Sequence, residues 1–150
     1  MKLYFLILSV IALHFSAAAQ KVQNQDLQGE WVIEKGWFGK DTILLKKPDA
    51  DKDTSVAQML IFGQKDSLAH NYYVPVKLRL CGVGLVHLDT ASWRLNVNKI
   101  TFYVKGGYGK GKRFNYKMIY AALIIDRETI ILKKVKTLLS EEKKYSGFNN

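Results

Sequence analysis

The chain has 150 residues, of which 48% are hydrophobic and 24% charged, with 23 Lys and Arg against 13 Asp and Glu. That balance and length describe one globular domain and exclude a disordered or multidomain chain. A single cysteine excludes an internal disulfide framework and a cysteine-rich zinc module, and two prolines without a Ser/Gly tract exclude a linker-dominated protein.

Met1 to Ala19 reads as a secretory signal. Lys2 supplies a positive start, Leu3 to Phe15 is almost unbroken apolar sequence, and Ala17-Ala18-Ala19 supplies the small residues of a cleavage site. The apolar run falls short of the ~20 residues a membrane span needs. No cysteine follows the small residues, so a lipoprotein anchor has no acceptor. The expectation is a secreted or periplasmic protein cleaved near Ala19/Gln20. Its single domain covers 20–150, with no transmembrane segment once the signal is removed.

Past the signal, short runs rich in β-branched and aromatic residues alternate with turn residues, the rhythm of antiparallel strands. In chain order the predicted strands are Glu30–Lys35, Thr42–Lys47 after the Gly36-Trp37-Phe38-Gly39 turn, and Ala57–Phe62 beyond a polar loop at Pro48–Ser55. The turn Gly63-Gln64-Lys65-Asp66 follows, then Ser67–Val74 and Val76–Cys81, divided at Pro75 and ended by Gly82 and Gly84. The second half alternates more cleanly: Ser92–Asn96, Lys99–Lys105, Arg113–Tyr120 and Thr129–Lys136, joined by short links at Val97-Asn98, Gly106–Lys112 and Asp126-Arg127-Glu128. Short links between alternating strands predict an up-and-down meander rather than βαβ units. Leu138–Tyr145 is expected to form one or two helical turns. About eight strands around one core predict an all-β, antiparallel up-and-down barrel, with a two-sheet sandwich as the rival.

Charge is uneven along the chain. Residues 20–93 carry nine basic and nine acidic side chains, whereas residues 94–150 carry thirteen basic and four acidic ones. Such a basic half attracts polyanions, anionic headgroups or acidic partners, or simply solvates a strand face.

Several motifs fail on their chemistry. Gly106–Lys112 has the skeleton of a phosphate-binding loop. Arg113 stands where Ser or Thr must hold magnesium, and strand alternation follows where a helix must. It reads as a glycine-rich hairpin. Asp49, Asp51 and Asp53 mimic the start of a calcium loop, but Thr54 replaces the required Gly and Leu60 the required Glu. His70 and His87 lack partners at metal spacing, so each reads as structural and no metal or cofactor is expected. No Gly-x-Ser-x-Gly elbow occurs and no specific reaction is supported. Cys81, at the end of an apolar strand, is expected to be buried and inert.

Leu27-Gln28-Gly29-Glu30-Trp31 resembles the Leu-x-Gly-x-Trp opening of lipocalins and of short bacterial lipocalin-like proteins. The resemblance implies that Gly29 permits a tight entry to the first barrel strand and that Trp31 is a structural plug at one end. It also implies a small hydrophobic ligand inside the barrel. Alternation turns Trp93, Phe102, Tyr116 and Met118 inward. In a hollow barrel these four line the site of a small apolar or amphipathic ligand, with Lys110, Lys112 and Arg113 at one mouth to pair with its carboxylate or phosphate head. In a filled barrel the same four are core. The protein is then a non-enzymatic interaction module whose basic face binds an acidic partner or anionic surface, without specific nucleic-acid recognition.

Overall fold

The computed structural model describes residues 21–49, 51, 55–74, 86–109 and 111–144. A four-residue helix, α1 (Asn24–Leu27), precedes eight strands. They are β1 (Gly29–Lys35), β2 (Thr42–Lys46), β3 (Ala57–Phe62), β4 (Leu68–Tyr73), β5 (Val86–Asn96), β6 (Lys99–Tyr108), β7 (Lys112–Ile124) and β8 (Thr129–Lys144). The signal segment, Val76–Cys81, Gly82, Gly84, Asp53, Lys110 and Tyr145 lie outside the described residues.

All neighbouring strands pair antiparallel in one eight-stranded sheet of order β4-β3-β1-β2-β8-β7-β6-β5. The strands from β5 to β8 form the continuous meander read from their short links. At the other side β1 inserts between β3 and β2. The two edges then meet. Ser67 bridges Ser92, the Trp93 amide donates to Asp66 O at 2.9 Å, and Tyr72 Oη accepts the Val86 amide at 2.6 Å. One sheet whose edges meet is a nearly closed barrel, so the sandwich alternative is excluded.

Strand bounds from the sequence hold to within one residue for the four described strands of the first half, β1 to β4, and prove short in the second half. β6 continues through Gly106 and Gly107 instead of turning there. The His87 carbonyl lies 2.0 Å from where a Gly106 Cβ would sit, so only glycine lets β5 and β6 approach this closely. The hairpin turn moves out beyond Tyr108, with Gly111 at φ 83°.

The helical expectation for 138–145 is corrected. Residues up to Lys144 continue β8, because the long β7 offers an unpaired edge from Lys112 to Lys117, and Leu139 to Lys144 pair with it. Tertiary pairing overrides the helix propensity of this Leu-, Glu- and Lys-rich segment.

The core follows the alternation. Ile100, Phe102 and Val104 on β6, Phe114, Tyr116, Met118 and Tyr120 on β7, and Ile130 and Leu132 on β8 are all buried in one cluster. At the lower end, Val22, Leu27 and Trp31 belong to the same cluster. Trp31 Nε1 donates to Leu27 O at 2.6 Å, and Lys47 Nζ lies 3.7 Å from the centre of its ring. Burial pulls the Lys47 ammonium below the usual lysine value, opposed by the Glu30 charge.

Candidate functional site

The four inward residues expected to line a ligand chamber are packed against other side chains of the protein. Phe102 contacts Phe38, Phe62 and Tyr120 edge-to-face at 5.2, 5.9 and 5.8 Å between ring centres. Trp93 packs on Phe62 at 5.3 Å and donates Nε1–H to Ser67 O at 2.9 Å, which ties it to the barrel seam. Met118 lies beside Tyr120, with Sδ 3.7 Å from its hydroxyl. Tyr116 stacks on Phe114 and donates its hydroxyl to the Glu142 carboxylate. Burial and that carboxylate raise the Tyr116 phenol far above its ordinary value, so it remains a neutral donor.

A plug that strand reasoning missed closes the upper end. The loop between β1 and β2 turns Phe38 down onto Phe102 and fixes itself over the mouth. Tyr120 Oη accepts from the Gly39 amide at 3.1 Å and donates to Lys40 O at 3.0 Å. Burial, first, pushes the Tyr120 phenol up to about 12. Lys134 Nζ donates to Gly39 O at 2.8 Å and pairs with Asp41 at 2.7 Å, holding the Asp41 carboxyl below its ordinary value. The signal was present: two adjacent aromatics between glycines are costly in an exposed turn and mark a loop that folds inward.

Beside this plug, Trp37 meets His70 at 5.3 Å, and His70 meets Tyr72 at 5.0 Å. Trp37 Nε1, Gln58 Oε1 and His70 Nε2 are buried with no hydrogen-bond partner among the described residues. Trp37 and His70 are in ring contact, and Gln58 on β3 pairs with Tyr72, two residues along β4 from His70, so a donor, an acceptor and an imidazole nitrogen lie on this side of the plug. Burial, and secondarily the neighbouring His87 charge, lower the His70 pKa from 6.5 to about 4.

This depression has a measurable sign. Between pH about 6.5 and about 4 the unfolded chain takes up a proton that the folded chain refuses. Stability is therefore expected to be full above this window and to fall as pH drops through it. The loss attributable to His70 is about 1–2 kcal/mol after allowance for solvent screening of a half-buried ring. Thermal melts from pH 7 to 4.5 should be steeper in pH for the wild type than for His70→Phe. Equal slopes would remove His70 as the source.

Of the three cations expected at the mouth, two lie among the described residues. Arg113 faces outward from β7, where Nη1 contacts Asp89 Oδ2 at 2.9 Å and His87 Nε2 at 3.0 Å. Lys112 is exposed at the end of the hairpin, and Lys110 is outside the described residues.

The outer face of β6, β7 and β8 gathers the basic half of the sequence. Register aligns Lys99 with Ala121 and Lys133, Thr101 with Ile119 and Lys136, and Tyr103 with Lys117. Among the described residues Lys99, Lys105, Lys133 and Lys136 have no carboxylate partner within ion-pair distance, while Lys117 Nζ lies 4.7 Å over Tyr103. By contrast, a cleft of about 800 Å³ beside β1 is lined by both signs of charge, and the Lys46–Glu34 pair at 2.7 Å neutralises part of it. Among the described residues no group of three His, Cys, Asp or Glu is placed to hold a metal ion.

The chain matches no protein-family model, no curated protein and no solved structure.

Proposed function

We propose that the protein is a non-enzymatic interaction module: a secreted or periplasmic, lipocalin-like barrel, filled by its own side chains, whose basic outer face binds an acidic partner or anionic surface. The observation that carries this reading is the contrast between inside and outside. Trp93, Phe102, Tyr116 and Met118 are engaged with other core side chains, while a row-by-row array of lysines on β6–β8 stands without carboxylate partners among the described residues. Unpaired like charges on one face create a potential that draws an anion in and orients it.

The test is titration of the mature protein with poly-L-glutamate at low and physiological salt. Binding is expected, weakening steeply as salt rises, and at least about tenfold weaker in Lys117→Glu/Lys136→Glu. Absence of binding at low salt would overturn the reading.

A second reading is favoured by the unpartnered Trp37, Gln58 and His70 atoms: carriage of a small amphipathic ligand whose polar head meets these groups and whose apolar body displaces the plug. A fluorescent fatty-acid probe separates the two. Micromolar binding, on the order of 8 kcal/mol, that changes in Tyr116→Ala or Met118→Ala would put the carrier reading first.

A further inference from the structure

The lower rim of the barrel joins apolar exposure to the basic face. Val97, at the tip of the β5–β6 hairpin, is 65% exposed, and Leu123 near the end of β7 and Ile125 just past it are 48% and 54% exposed. The Ala122 amide donates to Asn98 O at 2.8 Å, which ties the hairpin tip that carries Val97 to the end of β7 that carries Leu123. Leu123 then aligns with Ile131 on β8, and Ile131 with Leu44 on β2. The result is an apolar row across β7, β8 and β2 on the outer surface, with the exposed Val97 tip tied to the β7 end of it.

One step higher along the strands, on the same face, lies the basic row of Lys99 and Lys133. Two residues of strand separate the rows, roughly 7 Å. That spacing is comparable with the depth to which an amphipathic face enters the headgroup–acyl boundary, about 5–10 Å. Two acids of the nearby turn, Asp126 and Glu128, share this end of the barrel with exposed Arg127 between them. Asp126 accepts the Glu128 amide at 2.8 Å, and Glu128 lines the cleft shared with Lys46 and Lys47. Lys21 adds a further exposed cation, since Val22 next to it is bonded to Asn98 Oδ1 at 2.9 Å.

Val97 gives an independent indication. Its φ is 57°, a left-handed conformation that β-branched residues rarely adopt and that glycine or asparagine fills readily in a two-residue hairpin. The fold thus carries a residue at this tip that is unfavourable both in backbone conformation and in exposure. Such strain clusters where a side chain is used.

We propose that this lower rim docks on an anionic lipid bilayer. Val97, Leu123 and Ile125 enter the interface while Lys99 and Lys133 meet the headgroup phosphates. The proposal rests on the basic-face reading and adds to it the partner and the orientation.

The test is co-flotation of the mature protein with vesicles of phosphatidylcholine containing phosphatidylglycerol, against vesicles of phosphatidylcholine alone, with poly-L-glutamate binding measured in parallel. Binding to the anionic vesicles is expected. It should fall at least about tenfold in Val97→Asn/Leu123→Gln, with poly-L-glutamate binding unchanged. Asn relieves the strained tip, so the variant should melt no lower than the wild type by more than a few degrees, which separates lost docking from lost folding. Wild-type binding to poly-L-glutamate but not to vesicles, or vesicle binding unchanged in the variant, would overturn the docking proposal and leave the basic-face reading standing. Binding to neither would overturn both.

Discussion

Trp31→Ala is expected to be among the most destabilising single changes in the protein, costing about 3–5 kcal/mol, the range for large aromatic truncations in a core. The indole is buried at the lower end of the barrel in the same cluster as Val22 and Leu27, and its Nε1–H is spent on Leu27 O at 2.6 Å. Removing it opens a void that the flanking strands cannot close. It also frees the Leu27 carbonyl and strips the partly buried Lys47 ammonium of the ring it lies on. Domains of this size have about 5–15 kcal/mol in total, so urea unfolding at 25 °C should show a large loss of midpoint. Trp31→Phe separates the contributions, keeping most of the packing and losing the hydrogen bond, about 1 kcal/mol. A Trp31→Ala variant within 1 kcal/mol of the wild type would show that the lower end is not closed by this residue.

Trp93→Ala is expected to cost a similar ~3–5 kcal/mol, by a different route. Trp93 is where the sheet edges meet: its backbone amide reaches Asp66 O and its Nε1–H reaches Ser67 O, both at 2.9 Å, while its ring packs on Phe62. The Asp66 carboxylate also lies 3.6 Å from Arg94. Loss of the ring therefore takes away both core volume and the clasp between β4 and β5. Hydrogen exchange should be faster at Ser67 and around Trp93 in Trp93→Phe, which keeps a ring but not the donor, even where its global stability is close to that of the wild type. Unchanged exchange at the seam would mean that backbone pairing alone closes the barrel.

Most of the strands and the inward face of the second half were legible because a half-buried strand writes its burial into the chain at period two. Ile100, Phe102 and Val104 against Lys99, Thr101, Tyr103 and Lys105 leave one assignment only. The length of β8 was not legible. Residues 138–144 have helix-forming composition, and the partner edge that makes them a strand belongs to β7. The insertion of β1 between β2 and β3 was equally invisible, since alternation reports which face a residue takes and not which strand lies beside it.

The candidate site divides in the same way. Alternation turns Trp93, Phe102, Tyr116 and Met118 inward, and the order of residues puts the net positive charge in the second half. Whether inward means lining or filling depends on what else enters the barrel, and the loop at Trp37-Phe38 that enters it is distant from those strands in sequence. Only the tertiary structure placed Phe38 on Phe102 and brought Trp37, Gln58 and His70 together from three separate elements. It also aligned Leu123, Ile131 and Leu44 into one row, because register between strands is set by long-range pairing and packing that no local pattern encodes.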